Sequence, residues 1–464
     1  MTTVRRGSVV TVLPLLGLLA LACRSPGHRP TPSPTLARPG FGDLAVGVVQ
    51  RLVGPEDDGV VARFYAARQY RTAWVDGPGQ VRRALEALDV VGRSAEDGLD
   101  PGRYAPDAVR EVLARAGDGT ESLATVDVRL SELVLAYARD LALGQVDPAA
   151  IDSLWRSGNS FDVVAAVAAA VDADAVRGLP DRLRPPHVGY AALRAALARH
   201  RSAAPTAVDT AADVAARIAL NLERWRWLPR DLGRRHVMVN FAAFDATAVD
   251  DGVEALRTRV VAGRRDWPTP IASGQLTVVV ANPRWNVPRE IAVREILPLI
   301  RADSAFLDRE GMVAYRGTQR IDPRTVAWAV LSDTAFPYHL VQAPGPRNPL
   351  GRVKLVFANP FNVALHDTPA RALFAQAERA ASHGCVRVER AVDFAMWALD
   401  APGRDSLLLA LTAPEERAIA PGRGGPVMVH LVYWTVSVAE AGALQLRDDL
   451  YGWDARLARA LETQ

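Results

Sequence analysis

The sequence runs to 464 residues, room for two or three domains and a sizeable core. Apolar residues make up 49% and charged residues 23%, ordinary for a globular protein, and 55 Lys and Arg against 52 Asp and Glu leave a formal charge of only +3. The basic residues are scattered and arginine far outnumbers lysine, a bias of codon usage, so the composition gives no nucleic-acid partner.

Arg5 and Arg6 precede an apolar run from Val9 to Ala22, which ends in Ala20-Leu21-Ala22-Cys23. This predicts a secretory signal over residues 1–22, with a charged start, a short apolar stretch and small residues at the cut. The run is short for a membrane span. Cys23 invites lipid attachment after cleavage, which would anchor the chain to a membrane. Ala20 and Leu21 fit that pattern imperfectly, so ordinary cleavage after Ala22 stands as the alternative. The expected location is the cell envelope (periplasm). If Cys23 is lipidated, Cys385 is the only thiol left, and no internal disulfide can form. A free thiol kept in an oxidising compartment points to chemistry. Residues 23–42 carry Pro26, Pro30, Pro32, Pro34 and Pro39 and read as an extended linker.

From residue 43 to 200 the text is helical. Leu130, Leu133, Val134, Tyr137 and Leu141 fall at helical intervals, a stripe that ends near Gly144. Phe64, Tyr65, Arg68, Tyr70 and Trp74 form an aromatic cluster that suits either sugar binding or core packing; helical spacing favours the core. No internal repeat is visible. Residues 203–212 form a small-residue linker, followed by a helix from about Asp213 to Arg226. Strand patterns follow at 237–239, 276–280, 353–357, 363–366 and 427–438. Helix-prone text interrupts them from Trp285 to about Pro337, one helix follows Cys385, and residues 441–464 form a tail.

Cys385 lies in Ser382-His383-Gly384-Cys385, with His366 upstream. A thiol becomes a good nucleophile when a base or a positive charge favours its thiolate, and two imidazoles lie close in sequence. Asn359-Pro360 predicts a hairpin turn. Beyond it Val363 and Leu365 face one way, Ala364 and His366 the other. His366 would then project from the uncovered face of a strand end. His383 would order the loop or tune the thiol. One cysteine with two histidines lacks the ligands of a zinc site, so no metal is implied.

A histidine, a spacer and then SHGC resembles the signature of the YkuD-type L,D-transpeptidases. APGPRNPLGRVKLVFANPFNVALHDTP, from Ala343 to Pro369, is similar to the large YcbB-like branch of that family. FYAARQYRTAW, EDGLDPGRY and LAYARDLALGQVDP resemble the scaffold domain of the branch, and RDDLYGWD its closing segment. The resemblance covers roughly residues 45–455. It implies an α+β protein: a helical scaffold domain over 43–200, then a β-rich, sandwich-like catalytic domain over 213–440 with a helical capping subdomain over about 285–337. Many relatives carry a small peptidoglycan-binding module before the catalytic domain, and too few residues separate Ala198 from Ile218 to hold one.

The implied activity is a 3→3 cross-linking of peptidoglycan stem peptides through a thioacyl-enzyme, with no cofactor. Cys385 is then the nucleophile and His366 the general base. The Gly384 and Cys385 backbone N–H groups form the oxyanion hole, and Arg387, Asn348 and Trp285 are candidates for binding substrate. A carbapenem ring should acylate the same thiol. Three rival readings remain: an L,D-carboxypeptidase with water as acceptor, a cysteine hydrolase, and a wall-binding lipoprotein without turnover. Cysteine hydrolases of the papain or NlpC type place the cysteine before the histidine, the reverse of the order here.

Overall fold

The computed structural model describes residues 40–54, 59–202, 208–332, 334–439 and 442–463, with the side chains of 208–212 left aside. The expected signal over 1–22, the lipid site at Cys23 and nearly all of the linker to residue 42 lie outside the described residues, as does the 203–207 stretch. The first helix, Phe41–Val53, begins inside the expected linker, and the helix expected from Asp213 begins at Val208 and ends at Arg226. Helices Val188–Ser202 and Val208–Arg226 are separated only by residues 203–207, which leaves no space for a binding module. No helix among the described residues is long and apolar enough to cross a membrane.

The N-terminal domain is built around one long helix, Thr120–Leu143, whose apolar stripe is buried from Leu123 to Leu141. Two polar residues on that helix explain the aromatic cluster. Asp127 accepts the backbone N–H groups of Ala73, Trp74 and Val75 at 3.0, 2.7 and 3.0 Å, and also the Tyr65 hydroxyl. Ser131 Oγ accepts from Trp74 Nε1 at 2.8 Å. Phe64, Tyr65 and Trp74 are fully buried, so the cluster is core and offers no face to a sugar. The helix ends at Gly144, whose φ of +102° suits glycine, and a Cβ there would lie 2.6 Å from Glu223 Oε1.

The C-terminal domain carries β1 Arg235–Asn240, β2 Asp245–Asp250, β3 Val253–Gly263 and β4 Ala272–Ala281. The cap supplies β5 Trp285–Asn286, β6 Met312–Arg316, β7 Gln319–Ile321 and β8 His339–Gln342. The chain returns through β9 Val353–Phe357, β10 Ala364–His366, β11 Ala380–Ser382 and β12 Val386–Val388, and finishes with β13 Arg417–Ile419, β14 Val427–Val432, β15 Val436–Val438 and β16 Leu444–Leu446. The main sheet runs β11-β3-β12-β10-β9-β4-β14-β1-β2, and β2 pairs back onto β3. It therefore wraps on itself. Long β3 serves both ends, pairing β2 through its exposed first half and β12 through Val260 and Val261.

The hairpin at Asn359 forms as expected, with Leu365 opposite Leu355 and His366 opposite Lys354. Asn359 closes it by donating to Phe357 O and Val363 O at 2.9 and 2.8 Å. The run expected as one strand from 427 to 438 breaks at Tyr433, and β15 leaves to pair with β16. The capping segment is only half helical. Helices Leu297–Ala302 and Phe306–Arg309 and a π-turn over Ala292–Ile296 pack on a four-stranded sheet ordered β5-β8-β6-β7, so the subdomain extends to Gln342. Its core holds Ile291, Leu297, Ile300, Leu307, Trp328 and Leu340.

The two domains share a seam. Trp155 pairs by a backbone bridge with Ile271, and its ring lies between those of Trp227 and Trp453 at 5.6 and 5.3 Å. Beside it, Arg226 and Glu223 form an ion pair at 2.8 Å with both side chains fully buried. Arg226 also donates to the Asp97 carbonyl, and Glu223 accepts the Gln145 N–H at 2.7 Å. Such extra hydrogen bonds are what makes a pair tolerable out of water.

Candidate active site

Parallel pairing of β10 with β12 brings the motif together. Leu365 lies beside Val386 and His366 beside Arg387, which sets Cys385 next to Ala364. The Ala364 backbone N–H donates to the thiol. Cys385 keeps part of its surface open to a cavity, while the sulfur itself is enclosed. Burial pushes the thiol pKa up, and the Ala364 hydrogen bond and the charges of Lys354 and Arg387 work against that rise.

His366 does not sit on an uncovered face. It is only 4% exposed, because the cap roofs the strand end. Val363 and Leu365 enter the sheet core as the alternation requires; the opposite face is covered too. Burial, aided by Arg387 and Lys354, pushes the imidazole pKa down to about 4, against a backbone hydrogen bond that favours the charged form. Its Nδ1 lies 2.6 Å from the Asp367 carbonyl. A carbonyl only accepts, so Nδ1 carries the proton, and the neutral ring keeps its lone pair on Nε2. That is the state a general base needs.

His383 points elsewhere. Its Nε2 lies 2.7 Å from Glu295 Oε1 on the π-turn of the cap, and Arg264 Nη2 donates to the same oxygen at 3.0 Å. The His383 ring lies 4.5 Å from that of Trp267. Burial by itself would raise the Glu295 carboxyl, but the hydrogen bonds and charges of His383 and Arg264 together outweigh it and hold the carboxyl below its ordinary range. The ring thus ties the loop that carries Cys385 to the cap.

Gly384 has φ +95°, a conformation glycine adopts without strain. Its carbonyl accepts from Thr269 Oγ1 at 2.9 Å, and that hydroxyl accepts the Gly263 N–H at 2.8 Å. A trans peptide sets C=O and N–H in opposite directions. With the Gly384 carbonyl held towards Thr269, the Cys385 N–H is turned away from it, as an oxyanion donor must be. Tyr451 of the tail donates to the Gly263 carbonyl at 2.6 Å, so the closing segment braces the same corner.

The cavity above these groups measures about 360 Å³ and is lined by Cys385, His366, His383, Arg387 and, from the cap, Trp285 and Glu295. Asn348 is not among the lining residues. It is 1% exposed, and its amide donates to Pro283 O and Ala343 O at 2.9 and 3.1 Å while accepting the Leu350 N–H. It braces its own loop, with both amide protons used there. A larger cleft of about 800 Å³ around Glu86, Arg93 and Arg110 of the N-terminal domain has no cysteine or histidine in its lining. Among the described residues no group of three or more His, Cys, Asp or Glu could hold a metal ion.

Sequence reasoning missed Thr269, Glu295, the Asp367 carbonyl and Lys354. Thr269 and Glu295 act through contacts far apart in sequence, and the Asp367 carbonyl is a backbone atom of the residue next to His366; none of the three carries a local signal. Lys354 had one: it is the single lysine of the chain.

Residues 59–197 match the family model described as a scaffold domain, and residues 234–427 that of the L,D-transpeptidase catalytic domain, YkuD. A Haemophilus influenzae protein named "Putative L,D-transpeptidase" is 31% identical over 251 residues, which are 52% of this chain and 48% of the relative. The chain thus spans about half the length of that relative. An L,D-transpeptidase from Mycobacterium smegmatis is 13% identical over 42% of this chain and 58% of its own, with a TM-score of 0.21. L,D-transpeptidase 3 from Mycobacterium tuberculosis, in complex with a faropenem-derived adduct, is 12% identical over 42% and 60%, also at 0.21. The assignment rests on the two domain matches: residues 234–427 are an L,D-transpeptidase catalytic domain of the YkuD family, preceded in the same chain by a scaffold domain.

Proposed function

We propose that this chain forms 3→3 cross-links in peptidoglycan through a thioester on Cys385. The observation that carries the reading is the meeting of an enclosed thiol with a neutral imidazole, oriented by the Asp367 carbonyl, in one roofed cavity. His366 Nε2 takes the thiol proton as sulfur attacks the carbonyl on the L-centre of diaminopimelate in a donor stem. The carbon–nitrogen bond to the terminal D-alanine breaks, and His366 returns the proton to the leaving amine. A side-chain amine of a second stem then attacks the thioester, gives a proton to His366 and releases the sulfur. The Gly384 and Cys385 N–H groups stabilise the oxyanion in both halves. Arg387 faces the cavity without a salt bridge among the described residues and suits a stem carboxylate, with Trp285 as an apolar wall. An exported enzyme in the envelope, anchored by lipid on Cys23, belongs to the same reading. Oligomeric state plays no part in it.

The test is to incubate purified sacculi with the protein and with Cys385→Ala, then examine the muropeptides by mass spectrometry. New 3→3 dimers with the wild type and none with the variant are expected. Shortened stems without dimers would make water the acceptor and the protein a carboxypeptidase.

A further inference from the structure

Of 55 basic residues one is a lysine, and it stands beside the site. On β9, Val353, Leu355 and Phe357 enter the sheet core, which turns Lys354 to the opposite face. Lys354 pairs in register with His366 on β10, and His366 in turn lies beside Arg387 on β12. Directly opposed residues on one face of an antiparallel pair have Cβ atoms about 4.5–5.5 Å apart. The imidazole is therefore flanked by a cation on each neighbouring strand.

Among the described residues no acid neutralises this row. Glu295 is taken by His383 and Arg264, and Glu310 of the cap faces Arg347 at 3.8 Å. The Asp367 carboxylate accepts from the Arg352 N–H and pairs with Arg371. Neither Lys354 nor Arg387 has a salt bridge among the described residues, and both act on Cys385 and His366 through space. Lysine differs from arginine in presenting a compact point charge without a planar fork of donors. A chain that uses arginine at every other basic position, yet keeps lysine here, calls for charge at this place without a bidentate hand.

We infer that Lys354 is a positioning residue of the proposed acyl transfer: with Arg387, its charge keeps the His366 imidazole neutral and offsets the burial of the Cys385 thiolate. The inference rests on the thioester reading of the site, but its readout does not use that reaction. The experiment follows iodoacetamide alkylation of Cys385 against pH in the full chain, in Lys354→Met and in Lys354→Arg, with a urea midpoint for each. Lys354→Met should move the alkylation profile up by about one pH unit, an approximately tenfold slower reaction at pH 7. Lys354→Arg, which restores the charge, should recover most of that loss. An unmoved profile in Lys354→Met would overturn the inference. So would an equal fall at every pH in both variants, since that is loss of packing and not of charge. Should sacculi yield no dimers while the profile still shifts, the proposed reaction fails and the electrostatic role of Lys354 stands.

Discussion

Thr269→Val replaces a hydroxyl by a methyl at nearly constant volume and tests how the loop carrying Cys385 is held. Thr269 is fully buried, and the change removes both of its hydroxyl hydrogen bonds. It leaves the Gly263 N–H and the Gly384 C=O buried without partners, at about 1–3 kcal/mol each. The urea midpoint should fall accordingly. The larger effect should be on rate, because the Gly384–Cys385 peptide loses the contact that orients it. One oxyanion donor is worth about 10²–10³ in rate, which sets the ceiling on the loss. Carbapenem acylation of Cys385, followed by intact mass over time, measures it. Thr269→Ser keeps the hydroxyl and should acylate close to the wild-type rate. Wild-type acylation by Thr269→Val, with an unshifted midpoint, would refute the placing of that peptide by Thr269.

Acid should weaken the fold. His187, His366 and His430 are each held down to about 4, chiefly by burial, against 6.5 in the unfolded chain. The unfolded state therefore binds more protons between those values, so the stability is fully present above about 6.5 and is lost as pH falls towards 4. Each histidine accounts for about 3 kcal/mol of this, and a urea midpoint unchanged between pH 7 and 5 would count against it. Glu295→Ala frees the cap from the Cys385 loop. Alkylation of Cys385 by iodoacetamide should change little, while acylation by a carbapenem falls roughly ten- to hundredfold through misplacement; an equal change with both reagents would show that the contact does not couple them.

Much of the site was legible because its chemistry is local. Cys385, Gly384 and His383 are contiguous, and His366 stands out as a histidine ending an alternating strand behind a clear turn. Placing that histidine on an open face failed for a physical reason. Alternation tells which side a residue takes, and says nothing of what another segment lays over that side; here the cap covers it. Nor does sequence tell what an asparagine amide such as that of Asn348 holds, since one that serves a ligand and one that closes a loop read alike. Strand β3 was missed because its first half, with Glu254 and Arg257, is exposed and charged and lacks an apolar alternation. The cap looked helical because its strands are short, Trp285–Asn286 being only two residues long.

The core under the catalytic sheet has a consequence for how portable the domain is. Its buried members include Val146, Trp155, Leu220 and Trp227, all before residue 234, and Tyr433, Leu450, Trp453 and Leu457, all after residue 427. The stretch recognisable as a catalytic domain is therefore smaller than the object that folds. Grafted into another protein, residues 234–427 would carry Cys385 and His366 but leave behind one wall of the core that sets their strands side by side. Shuffling of such a domain between genes has to move the scaffold seam and the closing helix along with it.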